Sequence, residues 1–252
     1  MKRTALQYSS SANDAISYAG YRFPPDVFSY AVWLYYRFPL SLRMVEELLT
    51  ARGIDLTYGT VRCWSVKFGL DIARCISSTE LARGDRWHRD ELVVTINGKK
   101  QRLWRAVDEH GTELDVLLKK RRNRAAANAS FKRVLRSSPV PEKIVTDQLR
   151  SYPAAKAEVP ELAGAKHVFV KAHARVNNRA ENSHQPTRRR ARQMQGFRDP
   201  QRTQVFLCRF GPIRQHFALP RHRMKAACHR AELKARLLAW YDWSGVQFPD
   251  VN

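Results

Sequence analysis

The chain has 252 residues, with 45 Lys and Arg against 23 Asp and Glu, a formal net charge of +22 and a pI near 10.5. This excess predicts a polyanionic partner, and it favours nucleic acid over a membrane because the longest apolar stretch, 27–40, is too short and too interrupted to span a bilayer. The four cysteines form no CxxC pair and the first residues show no secretory pattern, so reduced thiols and a cytoplasmic location are expected.

Residues 1–21 are polar and without periodicity, which predicts a flexible arm. From 22 to 80 the pattern becomes helical: Pro24-Pro25 opens a first helix, Ser41 caps a second and Thr57 caps a third. The turn at Gly53 predicts a helix-turn-helix, although a three-helix bundle without a nucleic-acid role has the same pattern. The polar side of the third helix is expected to contact base edges and phosphates in a major groove through Tyr58, Arg62 and Lys67.

The segment 85–200 changes to a strand pattern. Three β-rich runs, 87–96, 101–108 and 113–120, are separated by turn residues, and the Asn97-Gly98 turn predicts an antiparallel meander. A helix, a strand, a short helix, a strand and a helix follow, at 124–136, 143–147, within 149–158, at 166–170 and at 178–197. This order predicts an α/β domain with a ribonuclease-H-like core and a mixed five-stranded sheet. Residues 201–252 are predicted to be a helical region broken by Pro212, Pro220 and Pro249.

Three acidic residues lie at positions where an open α/β sheet commonly forms its ligand site. Asp90 falls within the first strand, Asp147 ends the fourth, and Glu181 lies at the start of a strongly basic helix. Hard divalent cations need clustered oxygen ligands, so carboxylates converging from separate elements predict metal-dependent phosphodiester chemistry. Arg188 lies seven residues after Glu181, two helical turns on and on the same face.

Each acid also has a simpler interpretation. Glu181 could cap its helix together with Asn178, and Asp147 could be a turn residue. Four other acids are interpreted as structural rather than as metal ligands: Asp85, Glu91, Asp108 and Asp115. The histidines form no pattern with each other or with cysteine that suits zinc.

Basic residues near these acids carry further expectations. Arg188 and Arg192 share a helical side with Glu181 and are expected near DNA phosphates, whereas Arg189 and Arg190 should give less specific attraction. Pro186 should kink this helix. Within the first strand, Arg89 is predicted either to contact Glu91 or to reach solvent, because a buried unpaired charge is costly.

Four longer segments are distinctive: Tyr21–Pro25, Ala31–Arg43, Leu103–Asp108 and Asn177–Pro186. Through them the chain, over roughly 21–240, resembles the DDE transposases of bacterial insertion sequences, specifically the insertion-sequence-six family. The resemblance implies a helix-turn-helix that recognises terminal inverted repeats, and Mg²⁺-dependent DNA cleavage and strand transfer. It also implies that the triad is Asp90, Asp147 and Glu181, with Arg188 as the basic residue that follows. The chain departs from the family pattern at Arg89, Gln148, Pro153 and 174–176.

The expected protein is therefore a transposase with two Mg²⁺ ions, for which Mn²⁺ substitutes. Its expected partners are double-stranded DNA, as element ends and as target, and further copies of itself in a synaptic complex at the bacterial nucleoid. Two alternatives stay open at this point. One is a catalytically inactive DNA-binding regulator derived from a transposase, and the other is a structure-specific nuclease on the same fold.

Overall fold

The computed structural model describes residues 16–79, 84–147, 149–170 and 178–247, with only the backbone described for 178–183 and 221. The chain divides into two compact units. One combines Met1–Leu81 with Pro212–Asn252, and the other is the continuous segment Ala82–Gly211. The predicted C-terminal region, 201–252, is thus shared between them.

The first unit begins with three helices, α1 (Pro25–Arg37), α2 (Leu42–Thr50) and α3 (Tyr58–Thr79). Their starts are those that the capping residues predict: the hydroxyl of Ser41 accepts a hydrogen bond from the backbone N–H of Met44 at 3.1 Å, and that of Thr57 accepts from Thr60 at 3.3 Å. Gly53 follows α2 with a φ of +75°, a left-handed conformation that favours glycine. The turn between α2 and α3 is therefore encoded locally.

An aromatic core holds this unit together. Phe28 of α1 packs against Trp64 and Phe68 of α3, with ring centroids 4.2 Å and 5.0 Å away. A C-terminal helix, α8 (Ala226–Trp243), adds to this core. The indole N–H of its Trp240 donates to the hydroxyl of Ser29 at 2.9 Å. Ser29 also hydrogen-bonds the Ser244 hydroxyl at 2.9 Å. The N-terminal helices therefore share one core with the C-terminal segment.

The helix α7 (Pro200–His216) corrects one expectation, because it continues through Pro212 where a break was predicted. Proline inside a helix costs about 3 kcal/mol. Here the helix buries Leu207, Phe210 and Ile213 on both sides of the proline, and this burial offsets the lost hydrogen bond.

The second unit is built on a sheet of β1 (Arg86–Ile96), β2 (Lys99–Val107), β3 (Glu113–Lys119), β4 (Lys143–Thr146) and β5 (Lys166–Phe169). The strand order is β3-β2-β1-β4-β5, antiparallel among the first three strands and parallel from β1 to β4 to β5. Asn97 and Gly98 join β1 to β2 with φ values of 46° and 73°, as a tight hairpin requires. This topology confirms the predicted ribonuclease-H-like core.

Helices cover both faces of this sheet. On one face, α4 (Arg124–Leu135) and α5 (Ser151–Ala157) enclose a core that includes Trp87, Trp104, Phe131, Ile144 and Tyr152. On the other, α6 (Asn178–Gln193) packs against β1 and β2. In the part of the chain that is described, no helix has the length and apolarity to cross a membrane.

Candidate active site

Two of the predicted acidic residues lie just past the end of the pairing between β1 and β4. The parallel pairing of β1 with β4 ends at His88 with Val145, and Asp90 and Asp147 each lie two residues beyond that last pair. The carboxylates of Asp90 and Asp147 have different neighbours: that of Asp90 contacts His184 of α6, and that of Asp147 contacts Arg122, which also contacts Glu91. Their side chains are 21% and 26% exposed, so ions and substrate can reach them.

The oxygens of Asp90 and Asp147 are oriented by short contacts. Oδ1 of Asp90 accepts from the backbone N–H of Glu91 at 2.8 Å, while Oδ1 of Asp147 accepts from that of Leu149 at 3.2 Å. The remaining oxygens face side chains, with His184 Nε2 at 3.4 Å from Asp90 Oδ2 and Arg122 Nη2 at 2.8 Å from Asp147 Oδ2. Both acids therefore have a fixed orientation.

The third predicted acid, Glu181, lies in the first turn of α6, and its side chain is outside the described residues. His184, one turn later on the same helix, contacts Asp90. Residues three apart on a helix face the same side, so this contact sets the Glu181 turn near Asp90. Among the side chains that are described, no three of the His, Cys, Asp and Glu type form a metal-binding group, and Glu181 is not one of those tested.

A buried cation, Arg105, joins α6 to the sheet. It stands directly opposite Asp90 in the pairing of β1 with β2. Its Nη2 donates to the Thr187 hydroxyl at 2.6 Å, and its Nε lies 3.2 Å from Oε2 of Glu113. The sequence prediction missed this residue, although a single arginine inside the apolar run of β2 was a usable signal, since a buried charge needs a partner.

Arg122 was missed as well. Its Nη2 lies 2.8 Å from both Glu91 Oε2 and Asp147 Oδ2, so that one guanidinium bridges two carboxylates. The Glu91 side chain is only 1% exposed, and burial raises its pKa although the charge of Arg122 opposes the rise. The expectation that Glu91 is structural agrees with this contact.

Arg89 corrects the prediction made for it, because it neither contacts Glu91 as an ion pair nor reaches solvent. It is fully buried, donates to the Ser130 hydroxyl, and has its guanidinium carbon 4.1 Å from the Phe131 ring centroid. A planar guanidinium can stack on an aromatic ring, and this contact replaces the expected carboxylate. Burial nevertheless lowers the pKa of Arg89.

Two of the other acids have structural partners. Asp108 is fully buried and accepts backbone hydrogen bonds from His110, Thr112 and Gly84 at 2.9, 2.8 and 3.3 Å, which organises the turn between β2 and β3. Asp115 makes a two-point contact with Arg133, at 2.8 and 2.9 Å. Neither carboxylate points to an open site.

The arginines of α6 differ in their exposure to solvent. Arg188, Arg189 and Arg192 are exposed. Arg190 is 3% exposed, and its guanidinium lies 5.8 Å from the Phe206 ring centroid. Arg190 thus packs inside the unit, which corrects the expectation that it adds to a general attraction for DNA. Pro186 lies inside α6, as predicted.

In the first unit, the predicted DNA-contact residues Tyr58, Arg62 and Lys67 lie along α3 and are exposed. Lys67 also has a local partner: its ammonium donates to the Tyr21 hydroxyl at 3.0 Å and lies 4.8 Å from that ring's centroid. The guanidinium of Arg43 lies 5.5 Å from the ring of Tyr58. Their roles in DNA binding stay a prediction.

Comparisons with known proteins give the family. A family model described as a DDE domain, DDE_Tnp_IS240, matches residues 84–218. The transposase for insertion sequence element IS257 in transposon Tn4003 of Staphylococcus aureus is 33% identical over 138 residues, which are 55% of this chain and 62% of that protein. The transposase for insertion sequence-like element IS431mec of Staphylococcus aureus strain Mu50 has the same identity and coverage. The chain therefore matches less than two thirds of the length of these relatives.

Two solved structures are similar to this chain at lower sequence identity. One is the simian T-cell lymphotropic virus intasome in complex with PP2A regulatory subunit B56 gamma, with a TM-score of 0.44 and 14% identity over 68% of this chain and 59% of that one. The other is the HTLV-2 integrase catalytic core domain in complex with magnesium, with a TM-score of 0.38 and 13% identity over 52% and 85%. The family model covers more than half of the chain, and the protein therefore belongs to the DDE transposases, in the insertion-sequence-six family that its sequence resembles.

Proposed function

We propose that the protein is a transposase that binds the terminal inverted repeats of an insertion sequence and catalyses Mg²⁺-dependent DNA cleavage and strand transfer. One observation carries the proposal. Asp90 and Asp147 each lie two residues beyond the last pair of the parallel β1 and β4, and α6, which carries Glu181, contacts Asp90 through His184.

The residues at this site fit hard divalent cations. The accessible donors are carboxylate oxygens, the ligand type that Mg²⁺ prefers. The carboxylate of Asp147 shares the guanidinium of Arg122 with Glu91, so that one cation offsets only part of their combined negative charge. In this proposal Asp90, Asp147 and Glu181 hold two Mg²⁺ ions, and Mn²⁺ substitutes for them. When bound, the ions supply the Lewis acidity that phosphodiester cleavage needs.

The protein's own residues position the reacting groups. Arg122 holds Asp147, while His184 and Arg105 hold α6 against the sheet beside Asp90. Water attacks the phosphodiester at the element end and frees a 3′-hydroxyl. That hydroxyl then attacks a phosphodiester of the target strand and displaces its neighbouring 3′-oxygen. No bond between protein and DNA forms, and the exposed Arg188 and Arg192 contact the phosphates alongside.

Recognition of the element is assigned to the first unit. Tyr58, Arg62 and Lys67 of α3 contact the terminal repeat, with base edges and phosphates read in a major groove. Cleavage of two ends and their transfer to one target need several active sites, so we assign the working form to a homo-oligomer. The net charge of +22 agrees with work at the bacterial nucleoid.

The test is a cleavage and joining reaction on linear DNA that carries the inverted repeats flanking the reading frame. The full chain with Mg²⁺ should nick the element ends and join them to a target plasmid. Asp90→Asn and Asp147→Asn should each lower both rates about 1000-fold or more, since charge stabilisation of several kcal/mol is lost. Asp85→Asn, a change of the same chemistry at an exposed residue just before β1, should keep wild-type rates.

Other outcomes point to the alternatives. Wild-type protein that binds element ends but never nicks them would be a DNA-binding regulator. Nicking without joining would indicate a nuclease. Joining that survives Asp147→Asn would contradict the assignment of the active site.

A further inference from the structure

A second charged surface lies next to the candidate active site. The segment 116–141 contains eight Lys and Arg and no Asp or Glu. Four of these cations are consecutive, Lys119–Arg122, at the end of β3 and in the turn that leads to α4. Local charge repulsion of this kind disfavours the fold unless the charges meet an anion.

One member of this run ties the turn to the active site. Arg122 contacts Asp147 and Glu91, each at 2.8 Å. Consecutive Cα atoms are about 3.8 Å apart, so Arg121 and Lys120 stand within a short distance of these carboxylates. The turn is therefore held beside Asp147.

The other three cations differ from Arg122 in their surroundings. Lys119, Lys120 and Arg121 are exposed, and no carboxylate within the described parts of the chain lies at ion-pair distance from them. Arg124, the next cation along the chain, is different because Glu158 lies 2.9 Å from it. Lys119, Lys120 and Arg121 are thus available to an external anion.

The turn also forms a concave surface. A cavity of about 260 Å³ is lined by Lys119, Lys120, Arg121, Asn123, Ala125 and Ala126. The lining thus combines three cationic side chains and one amide with two alanines. This composition fits a compact anion such as a phosphodiester, and the lining contains no aromatic ring on which a base could stack.

We propose that this turn, the β3–α4 cationic loop (Lys119–Arg122), is a DNA-phosphate site that holds the reacting strand beside the phosphate attacked at Asp147. The inference rests on the proposed function, because the reaction at Asp90 and Asp147 sets the path of the strand. Arg122 anchors the loop, and Lys119, Lys120 and Arg121 bind the neighbouring phosphates. The chemistry is backbone recognition, which positions a strand without reading its sequence.

The first experiment does not depend on catalysis. Lysine acylation of the full chain, read by mass spectrometry, is compared with and without duplex DNA carrying an element end. Lys119 and Lys120 should be protected by DNA at least about threefold, an amount well above general screening. Lys132, exposed near the other end of α4 and about 12 Å or more away along the helix, should react equally in both samples.

Two results of this footprint would overturn the proposal. In one, DNA leaves Lys119 and Lys120 as reactive as before. In the other, Lys132 is protected to the same degree, so that the DNA simply coats the basic segment. A failure of the proposed function would be detected by a different experiment, the cleavage assay, in which wild-type protein would show no Mg²⁺-dependent nicking.

Paired variants give the second experiment. Lys120→Ala/Arg121→Ala should weaken binding of element-end DNA about tenfold and lower the slope of log K against log salt by about one to two, as loss of one or two phosphate contacts requires. Lys132→Ala/Arg136→Ala removes the same charge from the far end of α4 and should change the affinity less than twofold. If both double variants weaken DNA binding equally, the net charge of the protein alone explains the loss of affinity, and the proposed local site is refuted.

Discussion

The Nε2 atom of His184 lies 3.4 Å from Oδ2 of Asp90, and this contact joins the start of α6 to the central strand of the sheet. His184 is 1% exposed, and burial lowers its pKa although the carboxylate of Asp90 opposes the shift. A neutral imidazole here acts as a spacer between helix and strand. A larger side chain at this position should move the turn that carries Glu181.

This gives a prediction for His184 as a positioning residue. His184→Phe should lower the single-turnover cleavage rate at saturating DNA by about 100-fold, because misplacement of a reacting group by about 1 Å has that effect. His184→Gln keeps a polar group near Asp90 and should recover most of the rate. The affinity for element-end DNA should stay within about twofold in both variants. A similar loss in both, or a loss of affinity instead of rate, would refute the positioning role.

Binding of Mg²⁺ should stabilise the unit Ala82–Gly211. At an ion concentration 100 times Kd, the free energy of unfolding should rise by about 2.7 kcal/mol, since the ion binds the native state. Asp90→Asn and Asp147→Asn should each remove most of this gain, measured by thermal unfolding with and without Mg²⁺. The exposed change Asp85→Asn serves as the control and should keep the full gain. Stabilisation that persists in both active-site variants would place the ion elsewhere.

Element recognition by α3 can be tested with two arginines of that helix. Arg62→Ala should weaken binding to the terminal repeat, with a salt slope lower by about one if a phosphate contact is lost, or about 1–3 kcal/mol less discrimination if a base contact is lost. Arg74→Ala, twelve residues on and close to Asp71 at 3.7 Å, should bind like wild type. Gel shifts over a salt series measure both variants. Equal affinity of Arg62→Ala and wild type would exclude this part of α3 from recognition.

The first unit should lose stability in acid because of His216. Burial lowers the pKa of His216 to about 4, although its Nε2–H donates to the backbone oxygen of Arg236 at 2.8 Å. In the unfolded chain the pKa is near 6.5, so between pH 6.5 and 4 the unfolded state binds more protons. The free energy of unfolding should therefore fall as the pH falls through this window, by up to about 3 kcal/mol.

Variants isolate this effect. His216→Gln keeps a donor for the carbonyl of Arg236 and removes the titration, so its stability should be nearly flat from pH 6.5 to 4. His222→Gln, a change at an exposed histidine, should retain the wild-type slope. Urea unfolding at several pH values measures both. A wild-type slope in His216→Gln would assign the acid sensitivity to other groups.

Local signals predicted much of the fold. Ser41, Thr57 and the Asn97-Gly98 turn each act through bonds to their own neighbours, so the sequence around them is sufficient. The order of strands and helices then limited the topology, because a strand that follows a crossover helix in the same sheet pairs in parallel. The positions of Asp90 and Asp147 just beyond the last pair of β1 and β4 follow from that topology.

Local sequence signals could not predict side-chain contacts between residues that are far apart in the sequence. Arg122 is 31 residues from Glu91 and 25 from Asp147, and Arg105 is 82 residues from Thr187. Which carboxylate a given arginine meets depends on the packing of whole elements. For the same reason the predicted partner of Arg89 was wrong. Arg89 contacts Phe131 and Ser130 of α4, whereas Glu91 pairs with Arg122.

The core shared by Ser29 and Trp240 has a consequence for synthesis. The segment Ala82–Gly211 is continuous and can fold while translation proceeds, whereas the helices before it wait for residues 240–244 to complete their packing. The unit that carries Arg62 is thus finished last, although most of its sequence is translated first. If this unit binds DNA as proposed, translation that stops within the sheet should yield products that lack a completed binding unit and that should not compete with the full-length protein for DNA.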